Sequence, residues 1–406
     1  MADSGRHAVV RSLRGAATIA GALAASATLA LGFVTFHFAK TVVTVPRARP
    51  DDVPVLGCDG DTITLGATPD SVLDGNYSFW FAGSAGHARL GEVLRRGERW
   101  VTRRVIAVES GDLTTAVRGR MGGWFYQRPE DLGFEYQDVL VPTPVGDAPA
   151  WLVPGPAGSD CWVIQVHGRA VTRHEALRAV PVFHAAGYTA LLISYRNDGV
   201  APSSVDARYA LGDTEWQDVA AAVEFARHHG ARDVVIMGWS MGGAIALQTV
   251  TRAAHDLIRG VVLDSPVIDW VAALDYQAAL LRLPRLITRG VYRLIGSSWG
   301  SRFTGQAQPI NLDRLDFVRR ATELSLPILL LHSDDDGYVP SAPSRALANA
   351  RPDIVTFEAF EHARHTKLWN YDPERWNGAI TQWLTALETS SAHTGRPSRR
   401  REAAQG

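Results

Sequence analysis

The chain has 406 residues, 46% hydrophobic and 20% charged, enough for one large α/β domain and a second small one. Its 41 basic and 42 acidic residues leave a net charge of −1, which gives no hint of nucleic-acid binding. Two cysteines, Cys58 and Cys161, exclude a disulfide framework and are compatible with one bridge or two buried thiols.

From the N-terminus, residues 1–15 carry Arg6, Arg11 and Arg14, and an apolar stretch follows over 16–39. That stretch exceeds the roughly 7–15 residues of a cleaved signal core and suffices for a bilayer. The sequence therefore predicts a single-pass transmembrane helix that anchors the chain to a membrane, with the rest extracytoplasmic. The alternative is cleavage at Ala-Ala-Ser-Ala near residue 27 and secretion. Basic residues on both flanks, including Lys40, Arg47 and Arg49, leave the orientation undetermined by charge.

Residues 50–133 alternate polar and apolar in short runs, such as Thr62-Ile63-Thr64-Leu65 and Ser78-Phe79-Trp80-Phe81, separated by Gly, Asp and Pro. This predicts a small β-rich domain, a barrel or sandwich. The pattern then changes over 134–388 to strands alternating with helices. The apolar strand Trp162–Val166 leads into His167-Gly168-Arg169-Ala170, and Thr172-Arg173-His174-Glu175 has the spacing of a capping box that opens a helix. Asp233–Met237 reads as a buried strand, followed by Gly238-Trp239-Ser240-Met241-Gly242 and a helix with a small-residue face. Strand, Gly-x-Ser-x-Gly and helix in that order make a nucleophile elbow, with Gly238 and Gly242 needed for a strained turn and a close strand–helix approach. A second match, Gly296-Ser297-Ser298-Trp299-Gly300, lacks the strand before it and the long helix after it, so Ser298 reads as a turn residue.

Between about Val267 and Leu324, apolar residues recur every three or four positions. They read either as lid helices over a site or as helices packed on the sheet. Pro327–His332 is a buried strand ending in Ser333-Asp334-Asp335-Asp336, where an open α/β sheet gathers its functional groups. Ile354–Phe360 then leads to two histidines, His362 and His365, before a helix starting near Asp372-Pro373. Residues 389–406 read as a disordered tail. Zinc patterns, a Ser-x-x-Lys pair and a phosphate-binding glycine loop are missing, so the chemistry calls for no cofactor and no metal.

Taken together, the His-Gly loop after an early strand, the Ser240 elbow, the acidic loop after Pro327–His332 and the late histidine resemble the α/β-hydrolase superfamily, in its serine esterase and prolyl-oligopeptidase-like branch. The turn Ser194-Tyr195-Arg196-Asn197 adds to the likeness. The resemblance implies a mostly parallel sheet with helices on both faces and a helical lid insertion at 267–324. It implies Ser240 as nucleophile, Asp336 as acid with Asp334 second, and His365 as base with His362 second. The backbone amides of Met241 and Arg169 would form the oxyanion hole, with the Arg169 guanidinium left for a substrate or surface partner. His167 and Gly168 would shape that loop. The implied substrate is a small, hydrophobic acyl compound, an ester before an amide, with acyl transfer or peptide cleavage open to the same residues and a non-catalytic binding protein as the rival.

Overall fold

The computed structural model describes residues 26, 28–46, 50–253 and 256–393. Its first helix, α1, covers 28–43. Among the described residues no helix is long and apolar enough to cross a membrane, so the transmembrane helix expected over 16–39 is not found among them. Residues 16–25 and 27 of that stretch lie outside the described residues. The C-terminal half of α1 has another partner: Ala39, Val42 and Val43 are buried, and Val34 and Phe38 pack beside them on the core of the large domain. Those side chains are removed from water by protein, whereas Leu29 and Phe33, earlier on the helix, stay exposed.

Six strands form a closed barrel: β1 (Val53–Asp59), β2 (Thr62–Gly66), β3 (Tyr77–Phe81), β4 (Gly86–Arg96), β5 (Trp100–Ser110) and β6 (Arg118–Gly122), in the order β1-β2-β5-β4-β3-β6. The period-two pattern sends Ile63, Leu65, Tyr77, Phe79 and Phe81 inward, and closure removes the sheet edges. Arg103 is buried there. Its guanidinium donates to the carbonyls of Ser71, Leu73, Gly75 and Gly91. Burial lowers its pKa to about 10, which leaves it charged at neutral pH and fastens the loop 71–75 to the barrel.

The second sheet has eight strands: β7 (Gln137–Thr143), β8 (Gly146–Val153), β9 (Cys161–Val166), β10 (Thr189–Ile193), β11 (Asp233–Trp239), β12 (Ile258–Asp264), β13 (Ile328–Ser333) and β14 (Val355–Phe360). Their order is β14-β13-β12-β11-β9-β10-β8-β7, parallel throughout except at β8, which runs antiparallel to β7 and β10. β9, β10 and β13 are buried along their whole length, as parallel strands covered on both faces must be. One face carries α3 (Trp216–His228), α4 (Met241–Arg252) and α8 (Ala342–Ala350), with Val219, Val223, Ile245 and Leu347 in one core. The other carries α2 (Val180–Ala185) and, after the one-turn α9 (Leu368–Tyr371), α10 (Pro373–His393), with Phe183, Trp376 and Ile380 in another core. Helix α10 thus runs past Thr389, where a tail was expected, and 394–406 lie outside the described residues.

The insertion at 267–324 holds α5 (Trp270–Leu280), α6 (Arg285–Gly296) and α7 (Ser298–Thr304). Trp270, Ile287, Val291 and Ile295 sit in the core shared with α1. The two cysteines, on β1 and β9, form no disulfide.

Candidate active site

At the end of β11 the chain turns into α4 through Ser240, whose φ of 50° and ψ of −116° are strained for a residue with a Cβ. The turn is held from both sides. Ser240 N–H donates to Asp264 O at 3.0 Å, and its carbonyl accepts from Gly243 and Val267 at 3.0 and 3.1 Å. A Cβ on Gly238 would lie 2.4 Å from Gly242 O, and one on Gly242 would lie 2.1 Å from Val166 O. Both positions therefore admit glycine alone at this strand–helix spacing.

Ser240, the residues after β13 and those after β14 all lie at the carboxyl edge of the parallel sheet. There Ser240 Oγ is 2.9 Å from His365 Nε2, and His365 Nδ1 is 2.8 Å from Asp336 Oδ2. An ionised carboxylate only accepts, so His365 carries its proton on Nδ1 and offers Nε2 to the serine hydroxyl. Asp336 is buried. Burial would raise its pKa, yet the facing His365 and hydrogen bonds from His332 and His365 outweigh that and hold the carboxyl well below the usual carboxylate range. Its Oδ1 also accepts from the amides of Tyr338 and Val339, at 2.9 and 2.6 Å.

The runners-up stand elsewhere. Asp334 is exposed and paired with Arg345 and Ser341, and Asp335 pairs with Arg364. His362 is exposed beside Glu361. Ser298 opens α7 on the surface, after Ser297, whose hydroxyl accepts from Gly300 N–H as the helix cap.

The amides of Met241 and Arg169 donate to no protein acceptor among the described residues. Their neighbours are occupied: Gly168 N–H donates to Glu175 Oε2 at 2.7 Å, and Ala170 N–H to the Tyr209 hydroxyl at 3.2 Å. His167 is buried, stacked on Tyr195, with its ring nitrogens facing Gly168 O at 2.9 Å and Asp198 Oδ2 at 3.2 Å. The Arg169 guanidinium is not left for a ligand. It donates to the carbonyls of Thr41, Val42 and Thr44 at 2.6, 3.2 and 2.8 Å, satisfying the open C-terminus of α1. The expected capping box fails too: Thr172 makes no cap, because Glu175 is spent on Gly168 and the Thr172 hydroxyl on His174.

Several residues that hold the site escaped the sequence reading. His332 Nε2 lies 3.2 Å from Val339 O, which can only accept, so that nitrogen is protonated and also points at Asp336 Oδ2, 3.3 Å away. Its Nδ1 accepts from the Ser344 hydroxyl at 2.7 Å. Thr366, next to His365, has φ of 53° and is gripped at both backbone groups: its N–H donates to Ser265 Oγ at 3.1 Å and its carbonyl accepts from Arg178 at 2.7 Å. The Ser265 hydroxyl in turn donates to Asp264, which also accepts from Trp376 Nε1. The only local signal was Asp264-Ser265 ending a strand beside the elbow.

The cleft over Ser240 has a volume of about 700 Å³. None of its lining residues comes from 267–324, the stretch expected as a lid. The barrel side supplies Asp70, Trp80, Ser84, Arg120 and Trp124 instead. The reason is the chain path: the barrel's loop ends against the His365 loop, with Asn76 and Asn370 exchanging hydrogen bonds and Lys367 on Asp70 at 2.8 Å. Trp80 and Trp124 meet edge to face, and Trp124 stacks on His174. Among the described residues no cluster of side chains could hold a metal ion.

An eight-stranded, mostly parallel sheet with a serine on a strained strand–helix turn defines the α/β-hydrolase fold. Residues 139–379 match the Alpha/beta hydrolase family, and the chain belongs to that family. Residues 54–122, the barrel, match a domain of unknown function (DUF8805). The Escherichia coli protein YfhR is 24% identical over 204 residues, 48% of this chain; the chain spans 61% of that relative's length. The Pyrococcus furiosus esterase Pf2001 superposes with a TM-score of 0.50 at 22% identity, covering 64% of this chain and 94% of that one. That likeness is one of fold.

Proposed function

We propose that this chain is a serine hydrolase that cleaves carboxylic esters through an acyl-enzyme, with thioesters and amides open to the same chemistry. The reading rests on one observation, the unbroken line of short contacts from Ser240 Oγ through His365 to Asp336. Ser240 Oγ attacks the ester carbonyl while His365 Nε2 takes its proton, and the carbonyl π electrons move onto oxygen. The Met241 and Arg169 amides donate to that oxyanion. Each fixed donor of this kind contributes on the order of 3 kcal/mol to transition-state stabilisation. Collapse expels the alkoxide, which leaves with the His365 proton. Water then repeats the sequence on the acyl-enzyme and releases the acid. Asp336 stays ionised, holding the Nδ1 tautomer and stabilising the imidazolium.

Turnover of a p-nitrophenyl ester tests this. Ser240→Ala is expected to lower kcat by about 1,000-fold or more, while Ser298→Ala stays at the wild-type rate. Full activity in Ser240→Ala, or no turnover by the folded wild-type chain across esters, thioesters and amides, contradicts the reading and favours a binding role for the fold.

A further inference from the structure

From Tyr276 to Thr304 the sequence contains five arginines and no acidic residue, in a chain whose charges otherwise balance. Arg282, Arg285, Arg289, Arg293 and Arg302 are all exposed, and none of their guanidinium groups makes an ion pair or hydrogen bond among the described residues. Most other arginines of the fold are tied down, as Arg104, Arg314 and Arg345 are. Unpaired basic charge is therefore concentrated on one element.

The same element exposes large apolar side chains. Helix α6 buries Ile287, Val291 and Ile295 at helical spacing, so Leu286 and Arg293 fall on the outer side with Arg285 and Arg289 beside them, while Gly290 faces Thr35 of α1. Leu286 is 68% exposed, and Trp299 and Phe303 of α7 are 55% and 64% exposed while touching edge to face. A groove lined by Gly290, Arg293, Trp299 and Phe303 is closed on its far side by Thr35 and Phe36 of α1. One turn earlier on α1, Phe33 is 70% exposed. Upstream of it the sequence holds no charged residue from Ala16 onward.

Water-exposed Trp, Phe and Leu beside a stripe of unpaired arginines suit a surface that is apolar below and negatively charged above. We propose that the outer face of α6 and α7, with the adjoining turn of α1, docks on an anionic lipid surface and lies in its headgroup layer without crossing it. The apolar side chains reach the acyl boundary, and the arginine stems run alongside them and place their guanidinium groups against lipid phosphates. A second copy of the chain fits less well, because a two-fold contact would set the arginine stripe against itself. The cleft over Ser240 shares no lining residue with this groove, so docking and ester turnover are separable.

Flotation of the full chain with phosphatidylcholine vesicles, with and without phosphatidylglycerol, tests this. Binding is expected only with phosphatidylglycerol and is expected to fall as salt rises. Arg285→Gln/Arg289→Gln/Arg293→Gln is expected to weaken it by roughly 100-fold, and Trp299→Ser/Phe303→Ser by about ten-fold or more. Both variants should hydrolyse a short soluble ester as the wild type does, or unfold at the wild-type temperature if no ester is turned over. Vesicle binding that both variants retain overturns the proposal, as does failure of the wild type to bind either vesicle. A concentration-dependent dimer that the same substitutions abolish would also overturn it and assign the face to a second copy.

Discussion

The barrel and the helical insertion are the two additions to the hydrolase sheet, and they exchange the roles their sequence positions suggest. The insertion falls in the chain between elbow and acid, where a lid is expected, yet it contributes no lining residue to the cleft. Among the described residues two of its hydrogen bonds meet residues of the cleft, from the Val267 N–H to Ser240 O and from Gln277 to the carbonyl of Tyr338. The barrel precedes the sheet by many residues, and its loop 71–75 and Trp80 reach the far end of the chain at Lys367 and Asn370. Arg103 explains how: one buried guanidinium fixes four carbonyls, and Gly75 of that loop packs onto the carbonyl of Asn370. What covers a site is decided by which polar groups can satisfy each other at the carboxyl edge, and chain order does not report that.

The comparison can be broken first at the site both regions flank. His365→Ala and Asp336→Asn are each expected to cut ester turnover by about 1,000-fold or more, while Asp334→Asn and His362→Ala stay within a few-fold. The opposite ranking would move the acid and base to the runners-up.

Next comes the joint between barrel and sheet. Arg178 is buried and donates to Thr366 O and Asn370 Oδ1, and Asn370 donates to Asn76 O and Gly123 O. Arg178→Met leaves these acceptors unpaired beside His365 and is expected to cost about 3 kcal/mol of stability and at least ten-fold in kcat. Arg289→Gln on the insertion should change stability by less than about 0.5 kcal/mol. Equal effects in thermal unfolding and turnover would erase the distinction drawn here.

The joint also carries a pH signature. Burial pushes the pKa of His87 and of His174 down to about 4, with Arg173 adding to the effect at His174. In the unfolded chain both lie near the ordinary 6.5. Between those values the folded state binds fewer protons, so their contribution to stability is complete above pH 6.5 and is lost as pH falls to about 4. Together this is worth on the order of 3 kcal/mol after allowance for partial exposure. Denaturant unfolding should weaken over that window, and His174→Gln should flatten part of the slope; an unchanged slope removes His174 from the account. The smallest effect concerns the cleft wall. Trp124→Ala should raise KM about ten-fold for a bulky ester with little change in kcat, whereas Trp299→Ala should leave both unchanged.

The elbow was legible because it is local: Gly238, Ser240 and Gly242 fall between a clear strand and a clear helix, and backbone strain dictates their identities. Asp336 and His365 were reachable through chain order, since parallel strands deliver successive loops to one edge. What the sequence concealed depends on partners distant in the chain. Three adjacent aspartates look alike until Arg345 takes Asp334 and Arg364 takes Asp335. Arg169 looks available until the carbonyls ending α1 claim it, and Glu175 looks like a cap until the Gly168 amide does. Hydropathy over 16–39 reports apolar side chains but not what buries them; for Val34, Phe38 and Ala39 the cover is the hydrolase core.

The most direct measurement is reaction of the folded chain with a fluorophosphonate, followed by mapping of the adduct to a peptide. A single phosphonyl group on Ser240, lost in Ser240→Ala and kept in Ser298→Ala, is the predicted result. An adduct on another residue, or none on a chain that is folded, contradicts the account.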